Sequence, residues 1–140
     1  MPQTAARPVA VLAALAIVAG LAGCSASPGK PVEDYAGEPK GVPAPASSAG
    51  GASWAAWLED GSQFAIVLYG SSSCPPKVQN VSLTKDDTIT ATLAPAPGGI
   101  CTRDYVPHTT VFTTPEKLST TSEVKVVLPD ATLTLPAGRG

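Results

Sequence analysis

Positive charge and histidine are both scarce in this sequence. Nine Lys and Arg stand against eleven Asp and Glu, with one His, for a formal net charge of −2. That balance supplies no electrostatic footprint for nucleic acid, so no nucleic-acid partner is expected. A single histidine excludes any site that needs two, such as a blue-copper centre or an HExxH zinc protease. Long apolar runs are absent after residue 23, which leaves the later chain no stretch near the ~20 residues of a spanning helix. With 140 residues, the chain allows one domain and not two.

The one apolar run lies at the start. After Arg7 the chain reads VAVLAALAIVAGLAG from Val9 to Gly23. About fifteen residues is short for a membrane span and fits the apolar core of a secretory signal peptide. The run closes on Leu21-Ala22-Gly23-Cys24. This segment resembles the lipobox of bacterial lipoproteins. The resemblance implies diacylglycerol joined to the Cys24 thiol by a thioether and cleavage between Gly23 and Cys24. Small Ala22 and Gly23 leave the backbone open to a peptidase, and the thiolate of Cys24 is the strong nucleophile nearby. Two acyl chains anchor stably where one is marginal. The expected location is therefore the extracytoplasmic face of the cell membrane, with the lipid bilayer as a partner through Cys24. The Ala, Pro and Gly bias is similar to that of high-GC actinobacteria.

Residues 24–51 read as a linker. Five Pro interrupt any period of 2.0 or 3.6 between Ser25 and Gly51, and bulky apolar side chains are limited to Val32, Tyr35 and Val42. So little burial does not offset the entropy of ordering, and disorder is expected there. A flexible chain of that length spans ~25–30 Å.

From about 52 to 136 the pattern changes to short strands, with a four-residue tail at 137–140. Gln63 to Tyr69 is apolar on both faces, as in a central covered strand. Asp60-Gly61 just before it is the favoured pair of a two-residue type I′ hairpin turn after Trp54–Leu58. Val81–Leu83 and Thr88–Leu93 alternate around the turn Lys85-Asp86-Asp87. Val111-Phe112 lies in a Thr-rich stretch, and Val124–Leu128 and Thr132–Leu135 flank Pro129-Asp130-Ala131. Six or seven such strands predict an all-β fold, a small antiparallel sandwich or barrel. Its expected core is Trp54, Phe64, Ile66, Leu68, Leu83, Ile89, Leu93, Val111, Val126 and Leu133.

So small a domain is marginal without a staple. With Cys24 taken by lipid, Cys74 and Cys101 remain as an even pair in an exported, disulfide-permissive compartment. The domain resembles small disulfide-linked domains of actinobacterial lipoproteins, through Gly70-Ser71-Ser72-Ser73-Cys74-Pro75 and Cys101-Thr102-Arg103-Asp104. That resemblance imports no activity.

Four constellations bear on chemistry. Gly70 to Cys74 falls short of a G-x-S-x-G elbow, because Cys replaces the last Gly and Pro75-Pro76 cannot open the helix that motif needs. Cys101-Thr102-Arg103 is similar to the Cys-x-Arg element of L,D-transpeptidases, which implies a cell-wall enzyme using Cys101 as nucleophile. Against it, that family places its His before the Cys, and His108 comes after. His108, expected in an exposed loop, together with the two cysteines and Asp104 lacks zinc spacing, so no metal or cofactor is expected. Trp54 and Trp57 are three residues apart, which puts their rings on opposite faces of a strand. Trp57 is then the candidate for an exposed ring contacting a ligand, unless both rings cover hydrophobic surface. The leading expectation is a non-enzymatic lipoprotein that binds or scaffolds an envelope protein or cell-wall glycan. A small solute-binding lipoprotein is the remaining alternative, in a chain too short for the usual two lobes.

Overall fold

A computed structural model describes residues 29–119 and 121–138. The signal segment, the cleavage position Gly23 and the lipidation candidate Cys24 lie outside the described residues. The strands are β1 (Pro31–Ala36), β2 (Trp54–Leu58), β3 (Gln63–Gly70), β4 (Val78–Lys85), β5 (Thr88–Leu93), β6 (Val106–Thr113), β7 (Val124–Val127) and β8 (Thr132–Leu135). They form two four-stranded sheets in the orders β1-β6-β3-β2 and β4-β5-β7-β8. The fold is thus an all-β sandwich rather than a closed barrel. Every pairing is antiparallel except β5 with β7, which run parallel.

The alternation of side chains across each strand sorts the core. Ala55, Trp57, Phe64, Ile66, Leu68 and Phe112 face inward from the first sheet and meet Val78, Val81, Ile89, Val126, Leu133 and Leu135 from the second. Phe64 stacks on Phe112 at 5.6 Å between ring centroids and meets the edge of Trp57 at 6.4 Å. Of the core expected from sequence, Leu83 and Leu93 are only partly buried. Trp54 and Val111 are buried, but on the other face of the first sheet, outside the inter-sheet core.

That outer face accounts for the apolar character of β3 on both sides. β3 lies between β6 and β2, and Ala65 and Val67 are as fully buried as Phe64 and Ile66. The cover is the stretch expected as disordered linker. β1 pairs with β6, setting Asp34 opposite Thr110 and Tyr35 opposite Thr109. The chain then crosses the outer face. Thr109 Oγ1 donates to Gly37 O at 2.6 Å, the Tyr69 hydroxyl donates to Glu38, and the Tyr105 hydroxyl donates to Gly51 O at 3.1 Å. The domain therefore includes the stretch from residue 29 and does not start at 52. Proline did not prevent this, because β1 carries its one proline at its first position on a sheet edge, where a missing N–H costs no ladder bond.

The hairpin between β2 and β3 also departs from expectation. Leu58 pairs with Gln63, so the connection is four residues rather than two. Glu59, Asp60 and Gly61 all have positive φ, at 49°, 53° and 82°. Thr114 holds this loop, with its hydroxyl on Gly61 O at 2.8 Å and its N–H on Ser62 O at 2.9 Å. This loop, the β4–β5 turn and the segment Pro115–Ser119 mark one end of the sandwich, the lower end. The Cys74–Cys101 bridge, the loop between β5 and β6 and the β7–β8 turn mark the upper end.

Candidate functional site

The upper end is organised by a covalent staple. Cys74 and Cys101 are joined, with 5.5 Å between their Cα atoms and 27 residues of separation. Around the bridge, hydroxyls tie the Ser-rich turn to the segment after Cys101. Thr102 N–H donates to Ser73 Oγ at 2.9 Å, and the Ser71 and Thr102 hydroxyls are 2.8 Å apart. Ser72 N–H and the Thr102 hydroxyl both donate to Asp104. Hydrogen bonds from Ser72 and Thr102 hold the Asp104 carboxyl down at about 2. The near-elbow sequence is therefore one half of a hydroxyl clasp, and none of its serines has a histidine partner. Beyond the clasp the loop Pro95–Ile100 stands free in solvent, with Ile100 99% exposed. Arg103 is exposed as well.

Cys101 cannot act as a free nucleophile while its sulfur is in the cystine. His108, expected in an exposed loop, sits instead on β6 and is buried on the inner face beside Leu68. Its Nε2 is 2.7 Å from Asp34 Oδ1, and Lys77 Nζ is 2.9 Å from the same oxygen. Burial would raise the Asp34 carboxyl, but hydrogen bonds from Lys77 and His108 outweigh it and hold the group below its ordinary value. One carboxylate thus satisfies a buried imidazole and an ammonium, and pins β1 to β6 and to the start of β4. The dipeptide Glu33-Asp34, expected as solvated linker, divides across the sheet. Asp34 takes the inner side and Glu33 the outer. Among the described residues no group of three or more His, Cys, Asp and Glu is placed to hold a metal ion.

Trp57 is not an exposed ligand contact. It is 7% exposed, lies in the inter-sheet core, and donates its indole N–H to Pro136 O at 2.8 Å. Its ring does lie on the face opposite Trp54, as the spacing requires. Both faces of this sheet are covered, so opposite faces did not mean one wet ring. Trp54 Nε1 is buried and meets no acceptor. Two open grooves flank β2. One, of about 880 Å³, runs between Tyr35, Glu38 and the Glu59–Gly61 loop. The other, of about 650 Å³, lies between the edges of β2 and β8 under Pro43 and Pro45. No family model, curated protein or solved structure matches the chain.

Proposed function

We propose that the chain is a bacterial lipoprotein whose mature part starts at an acylated Cys24 and carries a non-enzymatic β-sandwich that binds or scaffolds another envelope component, a protein or a cell-wall glycan. The observation that carries the reading is the apolar run ending in Leu21-Ala22-Gly23-Cys24, placed a few residues before a folded domain that needs its own staple. The cystine supports the non-enzymatic part, because it takes the sulfur of Cys101 out of nucleophilic chemistry. The pairing of His108 with Asp34 supports it further, because it occupies the imidazole with a structural partner. Among the described residues no helix is long and apolar enough to cross a membrane.

The intact mass of membrane-extracted protein, with and without reductant, tests the proposal. A chain starting at Cys24 with a diacylglyceryl adduct, gaining about two hydrogens on reduction of its one bridge, is the expected result. An unlipidated chain retaining residues 1–23 overturns it. Alkylation of Cys101 by iodoacetamide without reductant would restore the cell-wall enzyme.

A further inference from the structure

We infer that the lower corner of the sandwich, formed by the β4–β5 turn and the outer edge of β4, sits against the phospholipid headgroups, with the stapled loop Pro95–Ile100 held at the far end and facing away. The inference rests on the lipid anchor at Cys24 proposed above and adds to it an orientation and a contact surface.

The argument is one of reach. The chain joins the sandwich at Gly29, whose carbonyl accepts the Val81 N–H at 2.8 Å. The contact is built for glycine. Its φ is +79°, and a Cβ there would lie 2.2 Å from Val81 O. Cys24 precedes Gly29 by five residues, so Cα24 and Cα29 are at most ~18 Å apart. The headgroup layer takes up roughly 6 Å of that span. Below Val81, β4 continues for four residues to Lys85, a further ~13 Å at strand rise. The turn Asp86-Asp87 thus hangs as far below the point of attachment as the remaining stem can reach. A sandwich standing upright touches the headgroups with this turn, and a partly tilted one adds only the lower part of the β4 edge.

The surface suits a zwitterionic layer. Exposed Lys30, Lys85 and Lys117 are interspersed with exposed Asp86, Asp87 and Glu116, and Gln79, Ser82 and Thr84 along the β4 edge are exposed and uncharged. From the turn, β5 climbs six residues to Leu93, ~20 Å, before the loop to Ile100 begins. The two ends therefore stand at clearly different heights above the bilayer.

Paramagnetic relaxation of the acylated full chain tests this, in nanodiscs of phosphatidylcholine and phosphatidylglycerol doped with a headgroup-linked gadolinium chelate. Amides of Lys85, Asp86 and Ser119 are expected to relax more than threefold faster than those of Ile100 and Thr102. Twelve Gly/Ser residues inserted before Gly29 add a reach of ~17–21 Å and are expected to flatten the contrast. Equal enhancement at both ends of the unmodified chain, or the strongest enhancement at Ile100, overturns the orientation while leaving the lipid anchor standing. A chain that carries no acyl mass and fails to co-purify with nanodiscs overturns both.

Discussion

Removing the disulfide is the sharpest test of how this small sandwich is stabilised. The perturbation is the double substitution Cys74→Ser with Cys101→Ser, which avoids a stray thiol. The bridge joins positions 27 residues apart, and closing a loop of that size removes unfolded-state entropy that stabilises the fold by roughly 3.5 kcal/mol. A folded stretch of about 110 residues unfolds with an entropy near 0.23 kcal/mol/K, so the midpoint is expected to fall by about 15 °C. Calorimetry on the mature chain at neutral pH, with the oxidised protein as reference, reads this directly. The hydroxyl clasp of Ser71, Ser73 and Thr102 survives the substitution, so hydrogen exchange is expected to separate two effects. Amides of the loop between β5 and β6 gain local opening, and amides of β3 and β6 lose only the global stability. A midpoint within 3 °C of the parent would refute the reasoning. It would mean that the cross-link constrains the loop alone and leaves the unfolded ensemble of the domain unchanged.

Other perturbations address single contacts. Thr109→Val keeps the shape of a fully buried side chain but leaves Gly37 O without its donor, an expected loss of about 1–3 kcal/mol in urea unfolding; unchanged stability would show that water replaces the bond. Trp57→Phe removes the donor to Pro136 O at the closing end of β8, with a cost of about 1–2 kcal/mol and faster exchange in β8; no change in either would mean that packing alone holds the C-terminal strand. Asp34→Asn probes pH. Because the folded carboxyl titrates below its ordinary value, its contribution is complete above the unfolded value near ~4 and fades as pH falls through the lower folded value. The variant is expected to be less stable at pH 7 and to converge on the parent in acid, and a gap independent of pH would contradict this. A chain beginning at residue 52 is expected to lose its cooperative melt, whereas one beginning at residue 29 melts with the parent; a cooperative melt of the shorter chain within a few degrees would show that β1 and its continuation are dispensable.

Much of the sandwich was legible because period-2 alternation and turn chemistry agree along the second half of the chain. Val81–Leu83 and Thr88–Leu93 pair around Lys85-Asp86-Asp87 as the pattern implies. Leu128 N–H bonds Ala131 O across the turn between β7 and β8. The bridge was legible from the parity left once Cys24 is set aside and from the compartment the apolar leader led one to expect. The parallel pairing of β5 with β7 was not, since two short alternating strands carry no mark of direction. His108 was misplaced for a related reason. Flanked by Pro107 and Thr109 it reads as loop, and only the partner strand β1, whose Asp34 carboxylate reaches its Nε2, gives an imidazole reason to be inside. Trp57 was misread because alternation assigns opposite faces to two rings without saying whether either face is wet.

The segment from 31 to 51 holds the main lesson, since its composition is that of a linker and its role is that of a wall. A strand such as β3, apolar on both sides, needs cover on both sides, and one further sheet can supply only one of them. Among the described residues after 52 no α-helix is present to close the second face. Trp54, Ala65, Val67 and Val111 would then form an exposed apolar patch on a small domain. The missing cover has to come from elsewhere in the chain. The Pro- and Gly-rich stretch is long enough to run up the edge as β1 and back across the outer face. Its contacts there are the backbone carbonyls of Gly37 and Gly51, the Glu38 carboxylate and two small buried residues, Pro39 and Ser48, rather than a run of apolar side chains. That economy hides it from any reading based on hydrophobic period.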